Sequence, residues 1–276
     1  MGSSSATSWR CHKAREPDSS MLLSIVIPAY NEEGSIAATI ERLAGTVRRE
    51  RIPYEIVVVD DGSTDSTPSV LGELAEKHSG LVIVSNAGRH GFGMAIRAGL
   101  ELCSGDAVAV VMADGSDDPE DLAVYYRKLE EGYECVFGSR FIPGGRVIDY
   151  PFHKLVLNRL ANTLIRLFFA ISYNDVTNAF KCYRRVVLEG IEPLIAPHFN
   201  LTVEMPLKAI VRGFSYAVVP ITWTNRKTGI SKLKIKEMGS RYLFVMLYLW
   251  LEKHLSRGDY HRRHQETPKP KAGAHA

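Results

Sequence analysis

The 276-residue chain has 45% hydrophobic and 24% charged residues, enough for one large α/β domain or two small ones and ordinary for a soluble globular protein. Its formal net charge of +3 comes without any long basic stripe carrying interleaved aromatics, which argues against nucleic acid as a partner. Four scattered cysteines (Cys11, Cys103, Cys135, Cys182) have no metal-ligand spacing and fit a reducing, cytoplasmic compartment, and the longest apolar run, 242–251, falls short of the roughly 20 residues that span a bilayer.

Residues 1–20 are polar, without a signal-peptide core, and read as a disordered lead. A first strand over 22–27 runs into Pro28-Ala29-Tyr30-Asn31-Glu32-Glu33, and a helix over 36–50 follows, with Ile36, Ile40, Leu43 and Val47 on one face. The second strand, 55–59, ends at Asp60-Asp61; Ser66 or Thr67 caps the next helix, with Pro68 at its start. Strand three covers 81–85, and Gly91-Phe92-Gly93 opens a helix to about Leu102. The fourth strand, 107–112, is β-branched and apolar on both faces, the pattern of a central parallel strand covered by helices. It runs into Met112-Ala113-Asp114-Gly115-Ser116-Asp117-Asp118-Pro119. One of Asp117 and Asp118 reads as the cap of the helix begun by Pro119, whereas Asp114 comes too early to cap and is better placed for a metal or ligand. The fifth strand, 135–137, ends at Gly138-Ser139-Arg140, and a strand over 215–221 returns beside the sheet.

Strands alternating with helices at this spacing imply βαβ units and a mostly parallel central sheet. Such a sheet gathers its strand ends along one edge, where open α/β sheets bind ligands. Asn31-Glu32, Asp60-Asp61, Asp114 and Arg140 all follow strands directly, so acids and a base meet in one crevice. Residues 154–169 are amphipathic at helical period, with Asn158, Arg159, Asn162, Thr163 and Arg166 opposite Leu157, Leu160, Ala161, Leu164, Leu167 and Phe168. The apolar side either packs on the domain or lies in a membrane interface, and 242–251, with Lys232, Lys234, Lys236 and Arg241 before it and Lys253 after it, offers the same choice. His261 and His264 lie in a basic tail, 257–276, read as disordered.

The stretches IVIPAYNEEGSI, EIVVVDDGSTDST, GFGMAIRAGLE and VVMADGSDDPEDL resemble the inverting family 2 glycosyltransferases, which share a nucleotide-sugar-binding Rossmann-like α/β domain. VFGSRFIPGG, LNRLAN, DVTNAFKCYRR and NRKTGISKL resemble the branch similar to dolichol-phosphate mannose synthase, which glycosylates a polyprenyl phosphate. The resemblance implies a catalytic domain over 21–232, an amphipathic helix over 233–256, a divalent Mg²⁺ or Mn²⁺ and a peripheral seat on the cytoplasmic face of a membrane. It places Pro28, Tyr30, Glu32 and Asp61 around the nucleotide, with Asp61 facing the base. Ala113, Asp114 and Ser116 fall beside the donor, with Asp114 and Ser116 on the metal. Arg226 and Lys232 are implied on the donor phosphates, in a loop made mobile by Gly229, and Arg140, Lys154 and Asn158 on the acceptor phosphate, although the family more often has Arg and Ser at the latter two positions and Lys154 reads equally as a surface residue. Asp114, Arg140, Arg226 and Lys232 form the implied catalytic set. Glu204 matches a family glutamate that orients a basic side chain or touches the sugar, and reads equally as a helix-surface acid.

Met112 departs from the family, which has a carboxylate there; Ser116 or Asp117 is the candidate for a further oxygen. Two rivals need different chemistry. A transferase using a sugar hydroxyl needs a general base, with Asp117 or Asp118 as candidates. A non-catalytic nucleotide-sugar-binding subunit would explain Met112. A dinucleotide-binding oxidoreductase does not fit, because the first strand leads to PAYNEE rather than a glycine-rich turn.

Overall fold

The computed structural model describes residues 20–226 and 235–262. Its main sheet has seven strands in the order β3-β2-β1-β4-β7-β5-β8. These are β1 (Leu23–Ala29), β2 (Tyr54–Asp60), β3 (Leu81–Ser85), β4 (Ala107–Val110), β5 (Cys135–Ser139), β7 (Lys181–Arg184) and β8 (Tyr216–Pro220). A separate parallel pair joins β6 (Arg146–Ile148) to β9 (Thr222–Thr224). The helices are α1 (Ile36–Arg49), α2 (Thr67–Lys77), α3 (Phe92–Leu102), α4 (Pro119–Glu130), α5 (Phe152–Phe169), α6 (Arg185–Gly190), α7 (Leu201–Val211) and α8 (Ile235–Leu255).

Alternation along β1 splits the core into two layers. Leu23, Ile25 and Ile27 point to one side, with Ile36 and Ile40 of α1, Leu71 of α2 and Leu122 of α4. Val26 points to the other, with Ile96 of α3, Leu207 of α7 and Leu249 of α8. Burying each such side chain is worth about 1.5–3 kcal/mol, so the period-2 strand and the period-3.6 helices specify a three-layer sandwich together. Gly99 lets α3 sit on the sheet, since a Cβ there would come within 2.5 Å of Val26.

The sheet is parallel on its first half and mixed on its second. β4 pairs parallel with β1 but antiparallel with β7, which is also antiparallel to β5, so β4 is central but not parallel on both sides. The short β7 carries Lys and Arg at its ends, which hides it in the sequence. Strand order reverses between β1 and β4, and the crevice above their carboxyl ends is the ligand position of such sheets.

Helix α5 inverts the usual polarity. Asn162, Ile165 and Phe169 are buried, while Leu157, Leu160, Leu164 (54% exposed) and Leu167 (74% exposed) face outward. Asn158 and Asn162 bond inward, donating to Thr177 Oγ1 at 2.9 Å each. Packing of the leucine side on the domain is therefore excluded. Helix α8 buries Val245 and Leu249 against the domain and leaves Leu243, Phe244, Leu247 and Leu251 exposed. Among the described residues no helix is long and apolar enough to cross a membrane. Residues 257–262, expected in a disordered tail, form turns instead, and the Arg262 N–H donates to the Arg212 carbonyl. His264 lies outside the described residues.

Candidate active site

Parallel register brings the first two strand ends level. Ala29 pairs with Asp60, and the Asp61 N–H donates to the Ala29 carbonyl. The two following loops are tied by Asn31 N–H to Ser63 Oγ (2.9 Å) and by Thr64 N–H to Asn31 Oδ1 (2.7 Å). Pro28 is buried within β1, and Tyr30 is half exposed beyond it. Asp61 accepts from Asn86 Nδ2 (2.6 Å) and Gly91 N–H (2.7 Å), with the His90 ring at 3.2 Å. A carboxylate offers about four lone-pair sites, so one remains for a ligand donor.

Beyond β4 the chain turns at Gly115, whose φ of 68° lies in the left-handed region that favours glycine. Ala113 is anchored by the Thr39 hydroxyl, which donates to its carbonyl at 3.0 Å. Asp114 Oδ1 accepts the Ser116 N–H (3.0 Å), and its Oδ2 meets Arg226 Nη2 at 2.9 Å. Arg226 Nη1 lies 3.8 Å from Glu32, so Arg226 bridges the ends of β1 and β4. Asp118 caps α4 by accepting the Glu120 N–H. Asp117 turns inward, is 5% exposed and accepts the Met112 N–H at 3.2 Å. Burial, and then the charge of Asp114, push its carboxyl up to about 7. The two aspartates expected to divide a cap and a ligand role thus part company. A cleft of about 330 Å³ runs between Ser35, Thr39 and Arg42 of α1, the 114–118 loop and residues 224–226.

This donor set suits a hard divalent ion. The Ser116 side chain is buried and among the described residues its Oγ has no hydrogen-bond partner, an orphan that a cation would satisfy. Asp114 supplies a carboxylate and Asp117 a second acid close by, where Met112 has none to give. Among the described residues no group of three or more His, Cys, Asp or Glu could hold a metal alone. Mg²⁺ and Mn²⁺ need no such cage, since one or two carboxylates plus substrate phosphates suffice. Asp114 and Ser116 would hold the ion.

Arg140 lies immediately after β5, buried at 7% exposure. Its backbone N–H, Nε and Nη2 all donate to Asp175, at 3.0, 2.8 and 2.7 Å. The rings of Phe141, Tyr150 and Trp223 surround the guanidinium at 5.2–5.8 Å. Burial works against its charge, but Asp175 more than offsets this and the pKa is raised. Trp223 also bridges to Asp117, which feels the Arg140 charge, so the acid loop and Arg140 are neighbours. Asn158 reaches the same region through Thr177. Lys154 is half-buried on α5. Arg159, not singled out from sequence, lies 4.4 Å from the Phe141 ring on which Arg140 also rests.

Glu204 is no surface acid: it is fully buried, pairs with Lys208 at 2.8 Å and accepts the N–H groups of Ile195 and Ala196. It orients a basic side chain and fixes a loop, and the cleft residues do not include it. Lys232 and Gly229 lie outside the described residues. Sequence reasoning missed Asp175 and Thr177 as site residues, although both stand in the quoted stretch DVTNAFKCYRR; an acid and a hydroxyl two apart beside buried Asn178 were the available signal.

Comparison with known proteins agrees with this geometry. The model described as glycosyl transferase family 2 matches residues 24–191. The chain is 35% identical over 215 residues to the polyprenol monophosphomannose synthase of Mycolicibacterium smegmatis, covering 76% of this chain and 80% of that protein. It is 31% identical over 224 residues to the dolichol-phosphate mannosyltransferase of Pyrococcus furiosus, covering 78% of this chain but only 60% of that protein. The glucosyl-3-phosphoglycerate synthase of Mycobacterium tuberculosis, solved with Mn²⁺, uridine diphosphate and phosphoglyceric acid, superposes with a TM-score of 0.63 at 21% identity, covering 83% of this chain and 78% of that one. That last likeness concerns the fold. With the motif-bearing strand ends in one crevice, the chain belongs to glycosyl transferase family 2 and is a nucleotide-sugar-dependent hexosyltransferase.

Proposed function

We propose that the chain transfers mannose, with inversion, from a nucleoside diphosphate donor to a polyprenyl phosphate at a membrane surface. The observation that carries this reading is the buried Arg140 guanidinium, fixed by Asp175 beside the acid loop and beneath a helix that turns leucines outward. A fixed fork of N–H groups recognises a phosphate, and an outward apolar stripe suits the lipid chain that phosphate carries. The likeness to a polyprenol monophosphomannose synthase and to a dolichol-phosphate mannosyltransferase supports both sugar and acceptor.

The chemistry follows from charge. A phosphate monoester is largely a dianion at neutral pH, so it is a competent nucleophile without a base. The work of the site is to hold two repelling phosphate groups in line. Arg140 would take the acceptor phosphate, with Asn158 and Lys154 alongside. Arg226 would pass from Asp114 to the donor diphosphate, and Asp61 keeps one acceptor site for the base. A bound Mg²⁺ or Mn²⁺ on Asp114 and Ser116 would offset the charge developing on the leaving diphosphate. The hydroxyl-acceptor alternative needs a general base; Asp118 caps α4, so that reading rests on the buried Asp117, whereas a phosphate acceptor needs none.

We infer peripheral association with the cytoplasmic face of a membrane through the outward sides of α5 and α8, supported by their exposed apolar residues and the lack of a spanning helix among the described residues. The test of function is incubation with polyprenyl phosphate and labelled GDP- and UDP-sugars, with Mn²⁺ or with EDTA. GDP-mannose should give a lipid-linked product that EDTA abolishes. No lipid-linked product with any donor would overturn the reading.

A further inference from the structure

The stretch from Tyr173 to Asn178 is woven between the end of β5 and helix α5. On the β5 side, Ser139 Oγ donates to Asn174 Oδ1 (2.6 Å), Asn174 Nδ2 donates to the Phe141 carbonyl (3.1 Å) and the Tyr173 hydroxyl donates to the Gly138 carbonyl (3.0 Å). On the α5 side, Thr177 Oγ1 accepts from Asn158 and Asn162, and its N–H donates to Asn162 Oδ1. Between these lies Asp175, fully buried, with both carboxylate oxygens given to Arg140. Lys181 pins the stretch from below by donating to the carbonyls of Val176, Asn178 and Thr202.

The guanidinium has two usable edges. Asp175 occupies the edge formed by Nε and Nη2. The other edge, formed by Nη1 and the second Nη2 hydrogen, keeps two parallel N–H groups, and among the described residues Nη1 has no hydrogen-bond partner. Two parallel N–H groups are what a bidentate phosphate contact requires. A buried ion pair is weak evidence of stabilisation in itself, because desolvation consumes much of the attraction. What this pair supplies is direction.

We propose that Asp175 is the positioning residue of the acceptor-phosphate site: it commits one edge of Arg140 and leaves the other for the phosphate, while Thr177, two residues on, anchors Asn158 of α5. The proposal rests on the reading of Arg140 as the acceptor-phosphate group. Asp175 never touches the phosphate; it acts through Arg140.

A double-mutant cycle tests this on the full chain, with KM measured for polyprenyl phosphate and for the nucleotide sugar in wild type, Asp175→Asn, Arg140→Ala and the double variant. Asp175→Asn should raise the acceptor KM about tenfold with the donor KM within about twofold, and should add less than about twofold on top of Arg140→Ala, as expected for residues acting as one unit. If Asp175→Asn raises the acceptor KM equally in both backgrounds, or raises both KM values together, its role is structural and the proposal is overturned. If Arg140→Ala leaves the acceptor KM unchanged, the acceptor-phosphate reading fails and takes this proposal with it. Should a variant not fold, the same cycle is run with Asp175→Glu and Arg140→Lys, which keep both charges but misalign the pair; the same coupling is expected, and its absence overturns the proposal.

Discussion

At the donor edge, Arg226 meets Asp114 through one ion pair at the rim of an open cleft, with Glu32 a loose second partner. At the acceptor face, Arg140 is held at three atoms by a fully buried carboxylate and walled by three rings. The two arginines would both serve phosphates, yet one is tethered for exchange and the other locked. The difference matches what each must do. In the proposed reaction Arg226 would share Asp114 with a cation and would have to let go, whereas Arg140 would keep its protein partner while its free edge takes the phosphate. A group that changes partners is held by single contacts; one that must only point is held by many.

The contrast predicts how substitutions divide. The largest effect should come from Asp114→Asn, which removes the carboxylate proposed to hold the metal beside the donor phosphates. Turnover should fall about a hundredfold or more, with the thermal melt close to wild type because the site is loosely tied. Near-normal turnover, or full wild-type turnover in EDTA, would remove the metal role from Asp114. Arg140→Ala should act on both properties. The acceptor KM should rise about ten- to hundredfold from loss of a charge-assisted contact. The melt should also drop, since Asp175 is left buried and unpaired at a cost of about 3–5 kcal/mol. An Arg140 variant that melts like wild type would break the contrast between tether and lock.

How far these regions could be read in advance follows the same division. The donor edge was legible because each of its acids directly follows an apolar strand, and parallel register then places Asp60, Asp61 and Asp114 along one crevice. Gly91-Phe92-Gly93 likewise marked the start of α3 to the residue. The acceptor face was only half legible. Arg140 follows its strand, but its partner Asp175 is 35 positions away, in a stretch with no period to betray it. Periodicity also grouped the leucines of α5 on one face but not the direction of that face. Helix α1, with the same kind of pattern, buries Ile36, Ile40, Leu43 and Val47, whereas α5 buries Asn162 with Ile165 and Phe169 and leaves Asn158 half-buried. Only the inward hydrogen-bond partner, Thr177, decides the matter, and that is a tertiary fact. β7 escaped for a related reason, since Lys181 looks like a surface residue and is buried with three carbonyls around it.

The outward face of α5 gives the next effect in size. Replacing Leu164 by Gln should weaken binding to anionic vesicles about tenfold, the worth of a half-exposed leucine moved into an apolar layer, while turnover on a short-chain water-soluble acceptor phosphate stays unchanged. Unaltered vesicle binding, read by co-sedimentation, would point to another occupant for this face. The last effect is on stability alone and concerns the scaffold beneath the lock. Burial lowers the Lys181 pKa from 10.5 to about 7, so between those values the unfolded chain binds a proton that the folded chain releases. Stability from this group therefore rises with pH across that window. Relative to Lys181→Met, the wild type should gain about 2 kcal/mol between about pH 7 and 9, a few degrees in Tm. A gap that does not change with pH would show that the three carbonyls keep the ammonium charged throughout.

The central claim is that the acceptor is a phosphate presented by a lipid. The direct measurement sets polyprenyl phosphate against the same polyprenol without its phosphate, at equal concentration, with GDP-mannose and Mn²⁺. A neutral alcohol gains nothing from the free edge of Arg140 and would need a base to activate it, so the account predicts transfer to the phosphate and none to the alcohol. Equal transfer to the two would contradict it and place the enzyme among transferases that glycosylate a hydroxyl.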